Sequence, residues 1–74
     1  MEPKEFFEVF NTLITDEKLK IVFEEVIVKK VAINREKTLL RVYISSDHII
    51  DKSDVFKMEK NIRKQLFDDV SLIE

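Results

Sequence analysis

The chain has 74 residues, 13 Lys+Arg against 15 Asp+Glu, no Cys, no Gly and one Pro. That length holds one small domain, and zero Cys excludes a disulfide framework or a cysteine zinc site. Zero Gly excludes phosphate-cradling loops, whose backbone only Gly allows, and a net charge of -2 argues against a general nucleic-acid binder.

The apolar runs are too short to span a membrane, and Glu2-Pro3-Lys4-Glu5 lacks an apolar signal core. A cytosolic protein is the default expectation. Residues 1–37 carry 8 acids and 7 bases, and residues 38–74 carry 7 and 6. No half is polarised and no linker interrupts the chain, so residues 1–74 read as a single domain.

In chain order, residues 3–14 read as a helix, with Pro3 at the first helical position. Phe6, Phe7, Val9, Phe10, Leu13 and Ile14 fall within an arc of about 160° on a helical wheel. Residues 16–23 read as a short second helix capped by Thr15 or Asp16, with Leu19, Val22 and Phe23 at helical spacing. Residues 26–34 and 38–46 read as antiparallel strands. Leu40, Val42 and Ile44 alternate cleanly, whereas Val26 and Val28 lie out of phase with Val31 and Ile33. A bulge near Lys29-Lys30 reconciles them. Asn34-Arg35-Glu36-Lys37 reads as the hairpin loop, with Asn34 or another residue taking any position of positive φ.

Residues 52–67 read as a long helix, started by Asp51 or Ser53 as cap. Val55, Met58, Ile62 and Leu66 form its apolar stripe. Val70-Ser71-Leu72-Ile73 alternates as a last strand. The order α-(α)-β-β-α-β predicts an α+β fold, a three-stranded sheet with helices packed on one face. Strand-like residues at the end also suggest a piece of a longer chain.

Ser45, Ser46, Asp47 and the single His48 contain the residue types of a nucleophilic triad. Sequence neighbours rarely reach triad geometry, however, and a polar loop explains them. Asp47, His48, Asp51 and Asp54 lack the Gly and closing Glu of a calcium loop. Asp51 and Asp54 fit better as first-turn acids facing a helix dipole. No catalytic residue, metal or cofactor is expected. Lys57, Lys60 and Lys64 form a stripe of about 60° on the long helix. Lys52 and Arg63 lie nearby, Glu59 dilutes the charge, and Phe56 and Phe67 flank it. A solvated face explains the lysines and core burial the aromatics. Aromatic anchors beside basic groups are nonetheless common at interfaces.

The succession of features resembles a known family. It runs from Phe6-Phe7-Glu8-Val9-Phe10 through an acidic helical stretch at 16–25 to the hairpin of residues 28–34 and 39–44. A Ser-Asp-His connection then leads to Asp54-Val55-Phe56, the helix through Ile62-Arg63-Lys64-Gln65-Leu66-Phe67, and Val70-Ser71-Leu72-Ile73. The whole chain resembles the small N-terminal domain of PolC-type DNA polymerase III alpha subunits, replicative polymerases of low-GC Gram-positive bacteria. The resemblance implies a domain ahead of a second N-terminal region, an OB-fold, PHP and proofreading exonuclease modules and the polymerase core. It implies a type II KH-like fold, akin to the polymerase-binding region of the clamp-loader tau subunit. No polymerase or exonuclease carboxylate would fall in this chain.

A nucleic-acid-clamping KH domain uses a GxxG loop, which a Gly-free chain lacks. The expected role is therefore a non-catalytic, monomeric interaction module that tethers the polymerase to replisome proteins, the tau subunit first among them. Its partner-binding residues would be Phe56, Lys57, Lys60, Arg63, Lys64 and Phe67. The alternatives are a weak single-stranded nucleic-acid-binding domain and an unrelated small protein that dimerises through its sheet edge.

Overall fold

A computed structural model describes residues 2–74, and Met1 lies outside them. The elements are β1 (Lys4–Glu5), α1 (Phe6–Val9), α2 (Glu17–Phe23), β2 (Ile27–Ile33), β3 (Leu40–Ser45), α3 (Lys52–Gln65) and β4 (Val70–Ile73). The fold is α+β, and its sheet has four strands, not three, in the order β1-β2-β3-β4. β1–β2 and β2–β3 are antiparallel. β3 and β4 are parallel, with α3 in the crossover that a parallel pair requires.

The fourth strand comes from the segment read as the start of a helix. Lys4 pairs with Val28 and Glu5 with Ile27, and the Phe6 N–H donates to the Val26 carbonyl at 2.9 Å. Sheet pairing claims these residues before a helix begins. Only Phe6–Val9 turn helically, and the turn ends at Phe10 (φ -109°, ψ 55°). Phe6, Phe10 and Leu13 still reach the core, but Ile14 is 78% exposed. Gln65 pins that exposed backbone: its Oε1 accepts from the Ile14 N–H (2.9 Å) and its Nε2 donates to the Ile14 carbonyl (2.7 Å).

Between α1 and β2, the short helix forms as read. Asp16 is its N-cap, with Oδ1 accepting from the Leu19 N–H at 2.8 Å. Such a cap satisfies one of the orphan donors of the first turn.

The bulge also forms: the β2–β3 register shifts between Val28 and Lys30. The extra residue turns Val28 and Val31 toward the helices together, opposite Ile44 and Val42. In the loop, Lys37 takes the left-handed position (φ 58°). Asn34 organises the turn, its Oδ1 accepting from Thr38 N–H (2.8 Å) and Leu39 N–H (3.0 Å).

Asp51 occupies the N-cap of α3, but its side chain makes no cap bond. Its carbonyl accepts from Asp54 N–H and Val55 N–H. The helix ends at Gln65, short of the expected 67. Leu66 therefore leaves the apolar stripe and is 43% exposed, while Met58 and Ile62 are buried. One core joins α1, α2 and α3 to the inner face of the sheet, with Phe6, Phe23, Val26, Val28, Val42, Met58, Ile62 and Val70 fully enclosed. Along β3, buried Leu40, Val42 and Ile44 alternate with less buried neighbours, so the helices cover one face only.

Candidate functional site

The flank of α3 holds the residues singled out in the sequence. Helical spacing sets Lys57, Lys60 and Lys64 about opposite Met58 and Ile62, and all three lysines are exposed. Phe56 is 64% exposed. It borders an open hollow of about 290 Å³ lined by Ile50, Val55, Glu59 and Leu72 among others. Ile49, just before the helix, is 94% exposed.

Phe67 is placed differently. It follows the helix end, where its N–H and that of Leu66 both donate to the Ile62 carbonyl. From there it packs, half-buried, against the core.

Arg63 and Glu59 form a network of their own. Arg63 Nε donates to Asp69 Oδ1 at 3.3 Å, and Nη2 donates to the Val70 carbonyl at 3.4 Å. Nη2 also lies 3.8 Å from Glu59 Oε1. Glu59 is buried, and its Oε2 accepts from the Leu72 N–H at 2.8 Å. It does not dilute the basic stripe on the surface; it reaches over to β4.

Asp54 likewise turns inward. It is buried, and Lys18 Nζ of α2 lies 3.4 Å from its Oδ1. No hydrogen bond forms across that separation, so Asp54 links α2 to α3 as an ion pair besides sitting in the first turn. Among the described residues, no three His, Asp or Glu side chains converge as metal ligands would.

The loop around His48 does not have triad geometry. Ser46 Oγ and Asp47 Oδ1 both contact the same ring nitrogen, Nδ1, at 3.1 and 3.0 Å. A triad instead places the acid on one ring nitrogen and the nucleophile on the other. The hydrogen bond from His48 holds the Asp47 carboxyl below its ordinary value. A carboxyl held low in the fold favours the folded state above the ordinary carboxylate range. That contribution disappears as pH falls through the lowered value. Asp47 is therefore expected to titrate below its ordinary value in an NMR pH series, and His48→Ala to return it upward. An unchanged Asp47 titration in that variant would contradict the contact.

No described helix is long and apolar enough to cross a membrane. The structure thus offers an α+β fold with a basic helical flank. The sequence itself assigns the class: the chain belongs to the family "DNA polymerase III polC-type N-terminus I", which matches residues 5–73. No curated protein and no solved structure matches the chain.

Proposed function

We propose that the chain is a non-catalytic interaction module of a PolC-type DNA polymerase III alpha subunit, acting in the cytosol. The parent chain carries the DNA-directed DNA polymerase and 3'-5' exonuclease activities. The module docks on a replisome protein, with the clamp-loader tau subunit the first candidate, through the exposed flank of α3. The observation that carries this reading is Phe56, an aromatic 64% exposed on a helix whose neighbouring face presents Lys57, Lys60 and Lys64. Burying such a ring in a partner's pocket supplies the energy, and the lysines supply steering and orientation. Arg63 is already engaged with Asp69 and Val70, and Phe67 packs on the core. Both support the docking face rather than form it. A type II KH-like shape is compatible with this role, because no glycine-bearing clamp is required of it.

Pull-down of purified clamp-loader subunits tests the proposal. Phe56→Ala is expected to weaken capture by about thirtyfold, the equivalent of roughly 2 kcal/mol. Lys60→Glu is expected to slow association and make it less sensitive to salt. Absence of capture by any replisome protein at tens of micromolar removes the reading. The same exposed lysines and Phe56 support a second reading, weak single-strand binding. Three phosphate contacts there predict a log–log salt slope of about -2.1.

A further inference from the structure

The two edges of the sheet are built differently. In the parallel β3–β4 pair, the Leu40 N–H donates to the Asp69 carbonyl. Alternation along the strand then turns the main-chain groups of Val70 and Leu72 to the outer side. Side chains occupy that side. Asp69 Oδ1 accepts from Val70 N–H at 2.9 Å, Arg63 donates to the Val70 carbonyl, and Glu59 accepts from Leu72 N–H.

At the opposite edge, β1 pairs only with Ile27 and Val28. From Lys30 to Ile33, β2 has no strand on its outer side among the described residues. Asn34 N–H donates to the Leu39 carbonyl. Alternation therefore turns Ala32 and Lys30 toward β3, and the N–H and C=O groups of Val31 and Ile33 toward the open side.

The surroundings of this open edge define what fits it. On the helix-bearing face, an apolar groove of about 450 Å³ is lined by Val9, Phe10, Val31, Ile33, Leu66 and Phe67, among others. Ile33 is 47% exposed. On the other face, the ladder places Lys30 beside Tyr43 and Ala32 beside Arg41. Lys30 Nζ lies 5.7 Å from the Tyr43 ring centroid. Lys29, Lys30 and Arg41 are exposed, and no acidic side chain pairs with them among the described residues.

We propose that the outer edge of β2 at Val31–Ile33 accepts, as an added strand, an extended segment of another protein in which apolar residues alternate with Asp or Glu. The period-two geometry of a strand sends its apolar side chains into the groove and its carboxylates toward Lys30 and Arg41. Main-chain bonds to Val31 and Ile33 fix the register. A second copy of this edge is a poor occupant, because it brings Lys29 and Lys30 against their own kind, and like charges across a strand pair are unfavourable. The groove shares Phe67 with the support of the α3 flank but includes none of Phe56, Lys57, Lys60 and Lys64.

The test is a titration of the isotope-labelled protein with a synthetic peptide alternating valine and glutamate. A valine–lysine peptide serves as its counterpart. The glutamate peptide is expected to slow amide exchange at Val31 and Ile33 by about tenfold, less at high salt. Ile33→Pro removes an outward N–H while sparing the β2–β3 bonds, so it is expected to weaken binding by about tenfold with Tm retained. Should that variant misfold, Lys30→Glu with Arg41→Glu replaces it and is expected to switch preference to the lysine peptide. Phe56→Ala is expected to bind the glutamate peptide as the parent does, which separates this site from the α3 flank. Unprotected Val31 and Ile33 amides, equal binding of both peptides, or self-association through β2 would overturn the proposal.

Discussion

Phe6→Ala is expected to cost about 3–5 kcal/mol of stability, the range for removing a buried aromatic ring. For 74 residues, a total of roughly 4–11 kcal/mol is the usual scale, so this one change consumes a large part of it. The size of the effect follows from position. Phe6 has no exposed surface. Its ring centroid lies 4.8 Å from that of Phe10, 5.0 Å from Phe23 and 5.2 Å, edge-on, from Phe7.

The Phe6 backbone is also held, because its N–H bonds to Val26 where β1 meets β2. With the main chain pinned, the surrounding groups cannot close readily over the lost ring, and a cavity remains. Denaturant unfolding measures the loss. Phe56→Ala, at an exposed position, is the control and is expected to stay within about 0.5 kcal/mol of the parent. A Phe6→Ala loss no larger than the control would show that the N-terminal segment does not close the core.

The elements legible in the sequence are those set by near neighbours. Asp16 caps a helix whose apolar positions lie within two turns of it. The phase break between Val28 and Val31 is visible within β2 itself, because a single residue accounts for it. The misread elements depend on distant partners. Phe6 to Ile14 has a helical pattern, but Lys4 and Glu5 find β2 beyond α2, and that pairing fixes where the turn begins. Propensity yields to tertiary pairing in such a case.

The candidate site divides in the same way. Spacing alone sets the lysine stripe opposite the core, and the structure leaves those lysines exposed. The fates of Glu59, Arg63 and Phe67 depend on where β4 lies and where α3 stops, which no local spacing encodes. The absence of Gly excluded phosphate loops, yet the hairpin still needed a left-handed residue. Lys37 supplies it beside an Asn34 that binds the turn together. The family was legible through the resemblance of the whole chain, since no single cluster of residues carries it.

Glu59→Ala is expected to cost about 1.5–3 kcal/mol, the range for a buried donor losing a charged acceptor. The donor is the Leu72 N–H, which faces away from β3 and has Glu59 Oε2 as its partner. Arg63→Ala is expected to cost less, about 1 kcal/mol, because its contacts to Asp69 and Glu59 are long and partly exposed. The two residues touch, so the double variant should lose less than the sum of the singles.

Glu59→Gln separates hydrogen bonding from charge: its amide oxygen still accepts from Leu72, so most of the stability is expected to return. Association provides the second readout. A bare β4 edge offers unpaired main-chain groups to other chains, so Glu59→Ala is expected to associate with rising concentration, in sedimentation, where Glu59→Gln does not. If Glu59→Ala matched the parent in both measurements, the carboxylate would not be guarding the edge. If it behaves as expected, Glu59 and Arg63 close β4 to pairing, and any strand addition falls to the opposite, β1–β2 edge of the sheet.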